Sequence, residues 1–313
     1  MKKNKKTENF TWLYVGLLAA LLAAPSATVI KVASSAVDPL VFISLRFSIV
    51  VLVTAPYMIY MGRRITKKNL QQSLLMGICM TIATLSYVTA ISLSQASYVS
   101  LVTLSMPVIF IAYSIILTDD RLKKRAALGI CLAAVGAFVV VGLPFLMARG
   151  EPTLYNPWAT FLAIVNCLFF PLAIIFSRKA NEQGLPVMAS FGFASIVVAV
   201  VCSVLAVVFV GINGYVPAGS ISVVAPIAYS AIGVALVARS LNVVSYQHLG
   251  AVVSGALSYV EYLLAIILPI LILGEHLSLE FIVGGSLILA GVYITETQHH
   301  PAKLRHLRVM QHH

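Results

Sequence analysis

Residues 250–296 read GAVVSGALSYVEYLLAIILPILILGEHLSLEFIVGGSLILAGVYITE, which is an apolar run, a short polar break and a second apolar run. The pattern predicts a helix over roughly 250–273, a turn at 274–278 and a second helix over about 279–295. Glu261 is the only acidic residue deep inside any apolar run, and it lies roughly 16 Å from the nearest end of its helix. If this helix crosses a bilayer, a carboxylate at that depth is a candidate functional group.

A second copy of this pattern lies 155 positions upstream. The shift aligns similar residues: Glu275 with Asp120, Leu277 with Leu122, Gly284 with Gly129 and Gly291 with Gly136. Another spacing also occurs twice, because Trp12 and Pro25 stand as far apart as Trp158 and Pro171. The chain therefore contains a repeat. We assign residues 1–150 to the first copy and residues 151–313, with a short cytoplasmic tail, to the second.

The composition places the chain among membrane proteins. Of its 313 residues, 60% are hydrophobic and only 10% are charged, whereas soluble domains are about one-quarter charged. The formal net charge is +11, but the basic residues form short clusters between apolar runs, which indicates membrane topology rather than nucleic-acid binding. The four cysteines lie within apolar runs without a CxxC motif, so we expect small buried side chains and neither disulfide nor metal site.

Ten apolar stretches approach the length that crosses a bilayer, about 20 residues each. We number these predicted spans 1 to 10, at about 12–32, 38–61, 70–92, 95–118, 125–146, 157–178, 187–211, 222–245, 250–273 and 279–295. Segments on one side hold 17 of the 21 lysines and arginines. The positive-inside bias therefore places both termini in the cytoplasm.

The repeat and the span count together predict the topology. Because five is an odd number, the second repeat must enter the membrane from the opposite side. The sequence therefore predicts an all-α membrane protein with ten transmembrane helices in two five-helix inverted-topology repeats. Alternating-access carriers are commonly built this way, with the substrate site near the midplane at the repeat interface. Duplication also produces symmetric channels, so a channel is the alternative.

Several local motifs resemble those of the drug/metabolite transporter superfamily, specifically its ten-span group built from two EamA-type repeats. They are Lys31 closing span 1, Leu45-Arg46-Phe47 in span 2, the Gly-Glu-His-Leu-Ser turn at 274–278 and the end of span 10 from Leu287 to Ile294. The resemblance covers almost the whole chain. It implies a bundle of ten helices that moves small metabolites or amphiphiles, commonly outward.

Glu261 is the first candidate site residue. On a helical period it shares a face with Ser254 and Ser258, which gives a polar stripe in an otherwise apolar helix. A carboxylate in so apolar a place can load and release a proton during transport, or pair with a cationic group of a substrate. The alternative is a structural carboxylate held by hydrogen bonds or by an arginine.

Span 8 carries a second candidate face. Arg239, Asn242 and Tyr246 share this face toward the predicted cytoplasmic end of the span. Arg239 can bind a substrate carboxylate or phosphate, neutralise Glu261, or extend to the lipid headgroups, and the sequence leaves all three open. The repeat aligns Asn242 with Tyr87 of span 3, which carries an uncharged polar face.

Two further basic residues lie in the outer halves of spans. We expect a structural or gating role for Arg46 in span 2, and an interface anchor or gate residue at Lys31 in span 1. Other residues that can line a cavity are Tyr98, Asn166, Tyr229 and Tyr259. Tyrosines also form interfacial belts, which is the alternative for each of them. The glycine pairs of spans 5 and 10 indicate close helix packing, within the chain or in a homodimer.

The sequence as a whole predicts a secondary-active transporter. It is expected to move a small organic metabolite or amphiphile, amino-acid-like or aromatic, across the cytoplasmic membrane by alternating access, in the direction of export. No nucleotide-binding P-loop is present, so a gradient must supply the energy. Proton coupling through Glu261 is the first hypothesis, and an uncoupled facilitator or exchanger or a channel-like pore is the alternative.

The remaining expectations concern partners and location. The histidines have no spacing typical of catalysis or metal binding, so neither an enzyme nor a metal site is expected. No cofactor is predicted. The expected partners are the solute, the lipid bilayer and a coupling proton, with a homodimer as an option and no nucleic acid. The location predicted is a plasma membrane of the bacterial inner-membrane type, which the chain crosses many times.

Overall fold

The structure is a computed structural model that describes residues 2–62, 65–106, 109, 113, 124–142, 156–249, 251–275 and 279–298. Within its helices, some side chains are not described, namely those of residues 2–10, 124–127, 141–142, 246–247, 251–256, 258–259 and 295–298. The described chain contains helices and no strand. The predicted turn at 119–122, the end of the turn at 274–278 and the tail beyond residue 298 lie outside the described residues.

The helices of the first half follow the predicted spans. Their bounds are Lys2–Ala23 and Ser26–Ser34 in span 1, Pro39–Gly62 in span 2, Lys67–Leu93 in span 3, Ala96–Thr103 in span 4, and Lys124–Ala137 with a π-helical turn at Phe138–Gly142 in span 5. Span 4 beyond residue 106 lies mostly outside the described residues, so its predicted end near residue 118 stays a prediction.

The second half repeats this order. Its helices are Pro157–Glu182 in span 6, Val187–Phe209 in span 7, Ile221–Ala228, the π-helical stretch Tyr229–Ala238 and Arg239–His248 in span 8, Ala251–Leu273 in span 9, and Leu279–Gln298 in span 10. A 3-10 helix at Ile212–Gly219 connects spans 7 and 8.

Length and composition agree with a membrane protein. Six described helical stretches are long and apolar enough to cross a bilayer, namely Thr11–Ser34, Pro39–Gly62, Lys67–Leu93, Pro157–Glu182, Val187–Phe209 and Ile221–Ser245. Shorter apolar helices cover Leu128–Val140, Val260–Leu273 and Leu279–Ile294. The predicted fold class, an all-α membrane protein, is confirmed, whereas the count of ten membrane crossings stays a prediction.

The sequence explains several helix ends. Thr66 caps span 3 by accepting a hydrogen bond from the Asn69 amide at 3.2 Å, and Asn156 caps span 6 through the Trp158 amide at 3.0 Å. Both are residue types that satisfy the free amides of a first helical turn. Span 9 ends before Gly274, whose φ of 67° is left-handed and therefore favours glycine.

Equivalent spans of the two halves run antiparallel. A Cβ atom added to Gly192, near the start of span 7, would lie 3.2 Å from the Thr54 hydroxyl near the end of span 2. In the same way, Gly136 of span 5 packs against Gly284 of span 10, and Gly129 packs against Gly291. Two repeats whose counterparts run in opposite directions have inverted topology, as the sequence predicts.

The packing between spans also occurs in symmetric sets. Span 3 packs along span 6, and the equivalent pair, spans 8 and 1, packs as well. Span 4 contacts span 6, just as span 9 contacts span 1. Three spans also pack against their own counterparts in the other repeat, namely span 2 against span 7, span 4 against span 9, and span 5 against span 10. A pseudo-two-fold axis in the membrane plane produces this pattern, and it brings residues of both repeats together in the centre.

One expectation about the cysteines is wrong. Cys79, Cys167 and Cys202 are buried, but Cys131 on span 5 is exposed. Span 5 buries its glycine side against span 10, so the opposite face of the helix, which carries Cys131, points away from the bundle. An apolar run in a membrane protein therefore does not imply burial in protein, because lipid accepts apolar side chains equally well.

Candidate functional site

Glu261 lies at a junction of the two repeats. Its carboxylate is half-buried and accepts a hydrogen bond from the side-chain amide of Asn242, with 3.5 Å between Nδ2 and Oε2. Tyr87 of span 3 lies within electrostatic range of the same carboxylate. Tyr87 and Asn242 occupy equivalent positions in the two repeats, so the pseudo-two-fold axis brings both toward the single acidic residue.

Two arginines complete the charged part of this cluster. Arg46 of span 2 lies within electrostatic range of both Tyr87 and Arg239. The Arg239 guanidinium lies over the ring of Phe191 in span 7, with 4.7 Å between Cζ and the ring centroid. A guanidinium stacked on an aromatic face keeps its edge donors available in the plane. The stack on a buried phenylalanine of span 7 orients Arg239 into the bundle rather than toward the lipid headgroups.

Two buried polar atoms in the cluster have no hydrogen-bond partner in the described part of the chain, namely Nε of Arg46 and Oδ1 of Asn242. Tyr87 lies beside Ser100, which joins span 4 to the cluster. An unpaired buried polar atom costs about 1–3 kcal/mol, so such atoms are few in folded proteins. Two of them in one cluster favour a site that binds a polar solute. We call Arg46, Tyr87, Ser100, Arg239, Asn242 and Glu261 the central cluster.

Two of the predicted cavity residues contact neighbouring helices. Tyr98 is 1% exposed and its hydroxyl lies 2.8 Å from that of Thr160, which joins spans 4 and 6. The side-chain amide of Asn166 donates to the Ala83 carbonyl of span 3 at 2.9 Å, while its buried Oδ1 has no hydrogen-bond partner in the described part of the chain. These contacts join spans, and a role in lining a cavity stays a prediction for both residues.

Tyr229 stabilises the break in span 1. Proline has no amide hydrogen, and the helix is interrupted between Ala23 and Ser26, around Pro25. The Tyr229 hydroxyl donates to the carbonyl of Leu22 just before the break, at 2.8 Å. A carbonyl near a proline break thus gains a partner from span 8, as membrane helices require.

Lys31 lies at the opposite end of the bundle from the predicted cytoplasmic side. Its ammonium donates to the carbonyls of Ile91, Ser92 and Ser94, at 2.9, 3.3 and 2.7 Å, where span 3 ends. Carbonyls at a helix C-terminus lack intrahelical partners and carry partial negative charge. Lys31 is therefore bound to span 3 rather than free at the membrane surface.

Glu275 has a role that its turn motif in the sequence does not reveal. Its two carboxylate oxygens accept from the amides of Ala96 and Ser97, at 2.7 and 2.8 Å, and also from the Ser97 hydroxyl. The carboxylate of the turn after span 9 thus caps the start of span 4. The sequence shows an acidic residue in a short turn, but it does not show which helix this residue caps, because the Ala96 amide lies 179 residues away.

Four predicted site residues carry side chains that the structure does not describe. These are Tyr246 of span 8 and Ser254, Ser258 and Tyr259 of span 9. Their positions on helical faces therefore stay predictions. Only the structure identifies Ser100 and Phe191 as part of the site. Nothing in their local sequence distinguishes them from other serines and phenylalanines in apolar runs.

The fold and the cluster define a class of protein. Inverted helical repeats around a polar centre are the architecture of membrane transporters of small solutes. The chain belongs to the EamA-like transporter family, which matches residues 10–142 and 157–297. The described helices and this match together identify a protein that crosses the membrane several times.

Comparison with solved structures gives the same fold. Seventeen chains of solved structures match, and one of them comes from a crystal structure. Its alignment covers 91% of this chain and 96% of the matched chain, with a TM-score of 0.60 and 17% sequence identity. At this identity the likeness concerns the fold alone. No curated protein matches the chain.

Proposed function

We propose that this protein is a secondary-active carrier that exports a small, amino-acid-like solute by alternating access. The observation that supports it is the central cluster, a connected group of polar side chains from spans 2, 3, 4, 8 and 9 that includes Glu261. The cluster lies where the two repeats meet, which is where carriers with inverted repeats bind their substrates. A carrier built this way binds the solute there and exposes it to each side in turn.

The charges of the central cluster favour a substrate with a carboxylate. Arg46 and Arg239 bring two guanidinium groups within electrostatic range of each other. Like charges in a weakly polar interior repel strongly unless an anion lies between them. A carboxylate matches the forked donors of a guanidinium in two parallel hydrogen bonds. The unpaired Nε of Arg46 is one such donor.

The other side of the central cluster accepts a hydrogen-bond donor. Oδ1 of Asn242 is buried and unpaired within the described chain, and the Glu261 carboxylate lies beside it. An ammonium or amide group of the substrate satisfies both. A solute with a carboxylate toward the arginines and an amino group toward Glu261 fits this arrangement better than a neutral aromatic solute does.

Glu261 is the proposed coupling residue. Its described hydrogen-bond partner, Asn242, is neutral, so either a proton or the cationic group of a substrate can neutralise the carboxylate. Competition between proton and substrate for one carboxylate couples a proton gradient to export. In this proposal both termini lie in the cytoplasm of a cell with an inner-membrane-type plasma membrane, and no enzymatic reaction or cofactor takes part.

Transport in proteoliposomes tests the proposal. We would measure counterflow with a panel of amino acids, their amides and neutral aromatic compounds, and then accumulation under an imposed pH gradient. Glu261→Gln should keep exchange but lose accumulation driven by the gradient, because glutamine cannot release a proton. Glu182→Gln is the matched control, since Glu182 is exposed at the end of span 6, and it should behave as the wild type.

Each other result has a definite meaning. If Glu261→Gln accumulates solute normally, Glu261 is not the coupling residue. Exchange without gradient-driven accumulation in the wild type indicates an uncoupled exchanger, and flux without saturation or counterflow indicates a channel-like pore. Arg239→Lys should lose the preference for carboxylate substrates over their amides, whereas Arg178→Lys should keep it. An unchanged preference in Arg239→Lys would contradict the proposal that Arg239 binds the substrate carboxylate.

A further inference from the structure

We infer that Lys31 and Glu275 form a latch that closes the outer end of the bundle and must open in each transport cycle. The latch consists of these two side chains and the turn at residues 91–97, which joins spans 3 and 4. The inference rests on the proposed carrier function. It concerns how one end of the carrier opens, which neither the family nor the central cluster defines.

Both charged groups of the latch hold the same turn. The Lys31 ammonium binds the last carbonyls of span 3, between 2.7 and 3.3 Å. The Glu275 carboxylate binds the first amides of span 4, at 2.7 and 2.8 Å. A cation on a helix C-terminus and an anion on a helix N-terminus each match the partial charge of that end. Span 1 and the turn after span 9 are thereby fixed to one hairpin.

The two charges also attract each other. Lys31 and Glu275 lie within electrostatic range of each other. Glu275 belongs to the second repeat, whereas Lys31 and the turn belong to the first. The latch therefore crosses the repeat interface, which is the boundary along which alternating access must separate the helices.

The latch is made of polar contacts that can be exchanged for water. An apolar seal of the same area would be costly to open, because its side chains would meet water. Carbonyls, amides, an ammonium and a carboxylate can all be hydrated once they separate, so water replaces part of what each broken contact loses. Contacts of this kind suit a closure that opens repeatedly.

The latch lies directly above the central cluster. Ser100 is one turn below Ser97 on span 4, and Tyr87 is about one turn below Ile91 on span 3. A reagent that enters from the outer end must pass the turn at 91–97 to reach Ser100. Opening of the latch is therefore measurable as access to this position.

Cysteine labelling tests the inference without knowledge of the substrate. Ser100→Cys is introduced after the four native cysteines have been replaced, and a membrane-impermeant maleimide is added from the outer side. Glu275→Gln and Lys31→Met should each raise the labelling rate about tenfold, since hydrogen bonds to charged groups are the strong ones. Glu280→Gln is the matched control at the same end, in the first turn of span 10, and should leave the rate unchanged.

The contrary outcomes are equally clear. If the labelling rate is unchanged in Glu275→Gln and Lys31→Met, the contacts are fixed scaffold and the latch does not exist. An equal increase in Glu280→Gln would show general loosening of this end, which also contradicts the inference. Should Glu275→Gln fail to fold, Glu275→Asp, which keeps the charge but shortens the reach, replaces it. Failure of the carrier proposal would appear in counterflow, whereas failure of the latch would appear only in labelling.

Discussion

The packing of span 5 against span 10 gives a prediction whose size can be worked out from distances. A Cβ atom added to Gly136 would lie 2.6 Å from the carbonyl oxygen of Gly284 and 2.7 Å from the amide nitrogen of Ile288. Ordinary carbon–oxygen contacts in packed helices are about 3.3–3.6 Å. The two helices must therefore separate by roughly 0.7–1.0 Å to accept Gly136→Ala. Both neighbouring atoms are backbone atoms, so they cannot turn aside.

The expected loss of stability follows from this separation. Overpacking a tight interface costs about 1–3 kcal/mol, and alanine returns up to about 1 kcal/mol through its higher helix propensity. Because both close contacts are with backbone, the cost lies in the upper part of that range, about 2–3 kcal/mol, and Gly136→Ala should lower the free energy of unfolding by about 1–2 kcal/mol. Unfolding by SDS titration in mixed micelles, followed by far-ultraviolet circular dichroism, measures this change.

A neighbouring glycine provides the matched control. A Cβ atom on Gly285 would come closer than 3.0 Å to one atom, the Cδ1 of Leu101 at 2.9 Å, which is the far end of a side chain and not backbone. Gly285→Ala should therefore change the free energy of unfolding by less than about 0.5 kcal/mol. Equal stabilities of Gly136→Ala and Gly285→Ala would refute the claim that close backbone contact between spans 5 and 10 braces the fold.

Three other substitutions test single contacts. Tyr229→Phe leaves the Leu22 carbonyl without its partner from span 8, and it should destabilise the protein by about 1–3 kcal/mol in the same SDS titration. Thr66→Ala removes the N-cap of span 3 and should cost about 1 kcal/mol, most of which Thr66→Ser should restore. Ser44→Ala removes a hydroxyl that lies 3.0 Å from that of Tyr215. Faster amide exchange in the 3-10 helix at 212–219, with little change in global stability, is the expected result.

Much of the fold could be predicted from the sequence because the membrane restricts the choices. An apolar run must form a helix to satisfy its own backbone, so the composition and the run lengths already indicated the apolar helices, six of which are long enough to cross a bilayer. The repeat followed from residues at equal spacings, and an odd number of spans per repeat required inversion. The π-helical stretch Tyr229–Ala238 was not foreseen, since it depends on how span 8 packs and not on its local composition.

The candidate site was predictable only in part. Glu261 could be found because it is a single acid in an apolar helix, and Asn242 and Arg239 because they share a face of the next helix in space. The contacts of Tyr98 and Asn166 with neighbouring helices could not be predicted. A buried tyrosine or asparagine satisfies its polar group equally well on a helix neighbour or on a solute, and only the fold decides which one is near.

The central cluster and the outer latch share the same hairpin, and this has a mechanical consequence. Tyr87 lies four residues before the first carbonyl that Lys31 holds, about 6 Å along span 3, and Ser100 lies three residues after Ser97, about 4.5 Å along span 4. A solute that draws Tyr87 and Ser100 toward Glu261 must therefore move helix ends that Lys31 and Glu275 hold. Because a helix is stiff over one turn, movement at the site changes the geometry of the latch. In the proposed transport cycle, the turn at 91–97 would couple binding at the centre to opening at the outer end.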